Sequence, residues 1–160
     1  MTRHASFGPL VDARTRVLVL GSLPGVRSLE AVRYYAHPQN QFWRLLGHVI
    51  DDDLAAMDYD ARIATIAAAG IGLWDVVATA ERTGSLDGAI RNVVPNDLSA
   101  LLAAYPAIAA VAFNGQAAAR LARSIDLSGR ARLTLPSSSA AATTPFVTKA
   151  VAWVQLRAWL

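Results

Sequence analysis

Arg16-Val-Leu-Val-Leu20 runs straight into Gly21-Ser-Leu-Pro-Gly25, and the reading of this junction decides the fold. A short apolar run closed by a glycine- and proline-rich turn reads as a buried strand. Where such a strand breaks at Gly-x-x-Pro-Gly, the backbone can approach a ligand closely, because glycine has no Cβ and proline stiffens the turn. The next distinctive stretch, Tyr34-Tyr-Ala-His-Pro-Gln-Asn-Gln-Phe-Trp43, sets aromatics, a histidine and amides in close order. A packed core has no use for that mixture, whereas a pocket that holds a flat polar ring does.

Working outward, strand-length apolar runs alternate with helical patterns. A helix is expected from near Asn40, with Phe42, Leu45, Leu46 and Val49 on one face. A second covers about Ala61–Ala69 and is closed by Gly70. Ile71–Val77 is expected to be strand two, and Pro95-Asn-Asp97 a turn and N-cap before a helix through Leu101–Tyr105. Strand three is Ile108–Phe113, broken by Asn114-Gly115 before a helix over Gln116–Arg123. Strand four is Arg132–Leu135, ended by Pro136-Ser-Ser-Ser139, and a last helix covers about Pro145–Leu160. Strands separated by helices imply parallel pairing with right-handed crossovers. The expected fold is a three-layer α/β/α sandwich around a short, mainly parallel four-stranded sheet, with residues 1–160 as a single domain. Ligands of such folds sit beyond the carboxyl ends of the strands. Gly21–Gly25, Asp75, Asn114-Gly115 and Pro136–Ser139 all fall there, so four separate segments converge on one sheet edge.

Composition narrows the class. Of 160 residues, 54% are hydrophobic and 17% charged, which places the chain among globular proteins. Without cysteine there are no disulfides, thiolate metal sites or cysteine-held clusters. Three histidines without a helical pair argue against a catalytic metal, and no cofactor is expected. The start, Met1-Thr-Arg-His-Ala, lacks the apolar core of a secretory signal, and no apolar run is long enough to span a bilayer. A cytoplasmic location and no membrane partner are therefore expected. The net charge of +3 is compatible with a polyanionic partner without demanding one.

The individual motifs keep two readings. Gly21–Gly25 is a strand-ending turn or a phosphate cradle, but it lacks the Lys-Ser/Thr ending of a nucleotide triphosphate loop. Tyr35, in a connection before a helix, is a core ring or a platform for a base. Asn40 is an N-cap, or an amide that holds a water or reads a base edge. Asn114 is a turn residue or a base reader. Ser137, Ser138 and Ser139 form a loop or grip phosphate oxygens. A serine hydrolase triad with His37 and Asp75 would need a Gly-x-Ser-x-Gly elbow, which is absent.

Taken in order, Gly21-Ser-Leu-Pro-Gly25, Tyr34–Trp43, Leu73-Trp-Asp75, Pro95-Asn-Asp97, Phe113-Asn-Gly115 and Leu135-Pro-Ser-Ser-Ser139 resemble the uracil-DNA glycosylase superfamily. The pattern is most similar to its deoxyinosine (hypoxanthine)-DNA glycosylase branch, from about residue 8 to the end. The resemblance implies a monofunctional glycosylase that removes deaminated bases from double- or single-stranded DNA as a monomer. In the mismatch-specific branch an asparagine directly before the proline of the first turn positions the attacking water. Leu23 stands there in this chain, so the resemblance shifts that role to Asn40. By the same resemblance Asn40 and Ser22 are the catalytic candidates. Tyr35, His37, Asp75, Asn114 and Phe42 are the base-binding candidates. Gly21, Pro24, Gly25, Ser137, Ser138 and Ser139 are the candidates for the DNA backbone. The Pro-Ser loop lacks the leucine that other branches insert into the duplex.

Overall fold

The computed structural model describes residues 2–160; Met1, counted in the expected domain, lies outside them. Strands β2 (Val17–Gly21), β3 (Ile71–Asp75), β6 (Ala110–Asn114) and β7 (Ala131–Leu135) form a parallel sheet in the order β3-β2-β6-β7. Alternation along β2 explains the layers. Val17 and Val19 pack into a cluster with Phe42, Leu45 and Leu46 of α2 (Phe42–Ile50), Ile66 of α3 (Tyr59–Ala68) and Trp153 of α6 (Phe146–Trp153). Leu18 and Leu20 point the other way, onto Leu98, Leu101 and Leu102 of α4 (Leu98–Ala104) and Ala118 of α5 (Gln116–Leu121). The three-layer sandwich with a parallel four-stranded sheet is therefore present.

Local signals set the helix ends. Asp58 and Asp97 accept from the backbone N–H groups of Ala61 and Ala100, capping α3 and α4. Asn40 Oδ1 accepts from Phe42 N at 2.9 Å in a local turn, but the N-cap of α2 is Gln41, which makes no side-chain cap bond, so Asn40 stands one residue before the cap rather than at it.

A second sheet departs from the sequence reading. β1 (Thr2–Ala5), β4 (Val77–Arg82) and β5 (Arg91–Pro95) pair antiparallel in the order β1-β4-β5. The expected strand Ile71–Val77 is really two: β3 ends at Asp75, and the chain turns through Val76 into the other sheet. Asn96 secures this corner, donating its side-chain amide to the Asp75 carbonyl at 2.8 Å and its backbone N–H to the Val76 carbonyl. A short helix, α1 (Val26–Ala31), follows directly after Gly25 and was not expected either. The last helix ends at Trp153, and a 3-10 segment, Val154–Trp159, completes it.

Candidate active site

A cleft of about 560 Å³ opens at the carboxyl ends of the parallel strands. It is lined by Gly21–Ser28, Tyr34, Tyr35, His37, Gln39, Asn40, Asp75, Ser85–Asp87, Asn114 and Ser137–Ala142. All four strand-end segments thus reach one cavity. A separate hollow of about 410 Å³, beside the acidic turn Asp51–Asp53, holds none of them.

One wall is a closed hydrogen-bond circuit. Ser138 Oγ donates to Asn40 Oδ1 at 2.8 Å and accepts from Asn114 Nδ2 at 2.8 Å. Ser138 N donates to Asn114 Oδ1 at 2.9 Å, and Gln41 N donates to the Ser138 carbonyl at 2.9 Å. Residues from three distant parts of the chain therefore share a single arrangement. Lys149 braces the loop from behind, donating to Gln41 Oε1, the Ala142 carbonyl and the Ser139 carbonyl. Trp153 Nε1 donates to the Pro136 carbonyl at 2.9 Å. Burial lowers the basicity of the Lys149 amine, and its three acceptors occupy it fully.

This circuit corrects two expectations and narrows a third. Ser138 is 1% exposed with its hydroxyl spent on two asparagines, so it is not placed to hold a DNA phosphate. Phe42 is fully buried and does not line the cleft, so it is not placed to touch a base. Its ring instead stacks under Tyr35, with centroids 3.7 Å apart and planes 12° from parallel. Asn114 gives both amide hydrogens to Ser138 Oγ and, more weakly at 3.4 Å, to the Tyr35 hydroxyl. What it has left for a base is one lone pair on Oδ1.

Asn40 is different. Its Oδ1 takes bonds from both Phe42 N and Ser138 Oγ, which fixes which way the amide faces. Nδ2 has no protein acceptor among the described residues, so Asn40 offers the cleft a donor and no acceptor. Tyr35 beside it has φ +53°, the left-handed region that non-glycine residues seldom enter. Its hydroxyl is pushed well above the ordinary tyrosine range by burial, with the charge of Asp75 adding to the effect. His37 lies exposed at the rim, where Nδ1 accepts from Gln39 N at 3.1 Å and the other ring nitrogen is left to carry the proton.

The opposite wall is charged. Asp75, at the end of β3, is 3% exposed, and its Oδ2 has no hydrogen-bond partner. Burial pushes its carboxyl up to about 7; the negative charge of Asp87 adds to this and Arg82 opposes it. A Cβ on Gly21 would lie 2.8 Å from Asp75 Oδ1 and 3.0 Å from the Tyr35 hydroxyl, so only glycine leaves room for both. Arg82 is buried and donates to the Leu23 and Pro24 carbonyls, pinning the Gly-x-x-Pro-Gly turn from β4. Ser22 donates its hydroxyl to Asp87 Oδ1 at 2.5 Å, which ties the turn to the loop between β4 and β5. Gly21 and Pro24 are buried in this arrangement, and Gly25, Ser137 and Ser139 are partly exposed. Leu23 packs against Val77, Ala80 and Ile90.

Sequence reasoning missed Arg82, Asp87 and the bracing role of Lys149. The first two belong to the second sheet and its loop, which carried no recognised pattern. Lys149 had a signal, being the one lysine of the chain.

Among the described residues, no group of three or more His, Asp or Glu side chains is placed to hold a metal ion, and no helix is long and apolar enough to cross a membrane. Comparisons with known proteins agree with the geometry. A family model described as the uracil DNA glycosylase superfamily matches residues 9–158. The hypoxanthine DNA glycosylase of Methanosarcina barkeri (strain Fusaro / DSM 804) is 40% identical over 114 residues, covering 71% of this chain and 72% of that protein. The hypoxanthine DNA glycosylase of Methanosarcina acetivorans is 38% identical over 135 residues, covering 84% and 85%. The solution NMR structure of a candidate uracil DNA glycosylase from Methanosarcina acetivorans superposes with a TM-score of 0.89 at 34% identity, covering 99% of each chain. With the strand-end cleft, its asparagine–serine circuit and a family match over nearly the full length, the chain belongs to the uracil DNA glycosylase superfamily.

Proposed function

We propose that this chain hydrolyses the N-glycosidic bond of deaminated bases in DNA, hypoxanthine first, with uracil and xanthine as further substrates. The observation that carries the reading is the pairing of an amide donor, Asn40 Nδ2, with a buried and unpartnered carboxyl, Asp75, in one cleft. A base must leave the stack before its bond to the sugar can be reached. As that bond breaks, positive charge builds on the sugar and negative charge on the base. The protein helps by holding the departing base and placing water.

Hypoxanthine, uracil and xanthine share a lactam edge, a carbonyl beside an N–H. A neutral Asp75 carboxyl answers that edge with one donor and one acceptor; an ionised one offers acceptors only and repels the carbonyl oxygen. Tyr35, backed by Phe42, supplies a face for the ring. Asn40 holds the water as a donor but cannot take its proton, so the rate should be modest. The chemistry favours deaminated bases because they depart more readily than the parent amines. With its only lysine buried and triply bonded, the chain has no free side-chain amine for strand cleavage, and an abasic site is the product. The reading takes residues 1–160 as one domain acting as a cytoplasmic monomer on double- or single-stranded DNA, with Gly25, Ser137 and Ser139 beside the backbone.

Incubation with oligonucleotides holding inosine, uracil or xanthine, followed by measurement of free base, tests this directly. Leu23 gives a specific reason to weigh a second reading, a damage binder without turnover, because the turn that carries a catalytic amide elsewhere here buries a leucine. Tight binding to an inosine duplex with no base release in a single turnover would favour it.

A further inference from the structure

A base turned out of a duplex leaves a gap in the stack, and DNA-distorting proteins commonly fill such gaps with an apolar side chain. The serine loop does not supply one. Its exposed end is Ala140-Ala141, whose methyl groups are too small to occupy a vacated base position. Across the cleft stands Leu86, in the loop between β4 and β5. It is 66% exposed, and among the large exposed apolar side chains of the described residues it alone lines the cleft.

The loop presents this leucine firmly. On one side, Ser85 Oγ accepts from Val26 N at 2.9 Å, at the start of α1. On the other, Asp87 takes the hydroxyl of Ser22 from the end of the first strand turn. The Leu86 carbonyl accepts from Ala89 N at 3.0 Å, closing a 3-10 turn behind it. The residues before and after Leu86 are thus tied to the cleft wall, while its own side chain stays largely exposed to water. An apolar residue held in that way has a use once a hydrophobic surface arrives.

Resting on the glycosylase reading above, we infer that Leu86 is the wedge that enters the base stack and holds the target nucleotide in the cleft. Its role is to position the substrate; it touches no reacting atom. A wedge matters only where there is a stack to enter. Single-turnover release of hypoxanthine should therefore be compared for inosine in a duplex and inosine in a bubble of unpaired nucleotides, with wild type, Leu86→Ala and Leu86→Met. Leu86→Ala should slow release from the duplex by roughly tenfold or more, since unstacking is the step it loses. Release from the bubble should stay within about twofold of wild type, and Leu86→Met should restore most of the duplex rate, because methionine fills a comparable volume. Equal loss on both substrates would make Leu86 a structural part of the loop and overturn the inference, as would an unchanged duplex rate. Absence of release by wild type from either substrate would overturn the glycosylase reading itself and the wedge with it.

Discussion

The two walls of the cleft are built on opposite terms. On the serine side, Asn114, Ser138 and the carbonyl of Asn40 satisfy one another, and Lys149 and Trp153 hold the loop behind them. On the carboxylate side, Asp75 keeps an unpartnered oxygen and Arg82 an unpartnered Nε, both buried. Buried polar groups normally find partners, and leaving one without costs about 1–3 kcal/mol. A wall with every bond made can fix geometry but has little left to offer a ligand. A wall with bonds missing is costly to fold and ready to bind. On the proposed reading the first wall positions and the second recognises, with Asn40 Nδ2 a free amide donor that the positioning wall presents.

Removing that donor is the hardest test. Asn40→Ala should lower single-turnover base release by on the order of 100-fold or more while sparing much of the DNA affinity. Near-normal release would sink the assignment. Ser138→Ala attacks the same wall without touching the ligand. It should cost about 1–3 kcal/mol in denaturant unfolding, because two partly buried amides lose a partner, and it should slow base release about tenfold. Binding to undamaged DNA should hardly change. A parallel loss there would return Ser138 to the phosphate role expected from sequence.

Asp75→Asn probes the other wall through pH. The folded chain holds the Asp75 proton up to about 7, against an ordinary 3.8. Folding is therefore most favoured below the lower value, and stability falls as pH rises towards the upper one. Asparagine does not titrate. The variant should gain stability relative to wild type on the order of 1 kcal/mol or more at pH 8 but little at pH 4. Base release by wild type should decline as pH climbs through about 7, where the Asp75 carboxyl loses its proton, and the variant should lose that decline. Melting temperatures and release rates across that range decide it, and identical pH profiles for the two proteins would remove Asp75 from base reading. The smallest effect belongs to Tyr35→Phe, which keeps the ring and loses only a 3.4 Å contact to Asn114. It should change base release by less than about threefold, whereas Tyr35→Ala should cost roughly tenfold or more, since base stacking is worth about 1–3 kcal/mol. Equal damage from both would make the hydroxyl the working part.

The parallel sheet was legible because β2, β3 and β6 are apolar runs, and β2, β6 and β7 close at a glycine, an asparagine and a proline. The convergence of the strand ends was legible for the same reason, since parallel topology puts like ends together. The antiparallel sheet was not. Val77–Arg82 buries only some of its positions, and one of them is its final arginine, so its pattern matches neither strand template well. The identity of Ser138 as a strut was hidden by distance, because its partner Asn40 lies 98 residues away. A triple serine offers no clue as to which member turns inward.

Asn114-Gly115 also bears on how long the protein lasts. Asparagine before glycine is the pair most prone to cyclise, its side-chain carbonyl being attacked by the next backbone nitrogen to leave aspartate or its isomer. In this fold the Gly115 nitrogen donates to the Leu135 carbonyl at 2.9 Å and to the Phe113 carbonyl at 3.0 Å, and the Asn114 amide is clasped by Ser138. Neither partner can reach the other without first breaking the bonds that shape the cleft. The circuit that arranges the chemistry therefore also protects its own asparagine from spontaneous ageing, so that a protein concerned with deaminated bases keeps its own most vulnerable amide from the same fate.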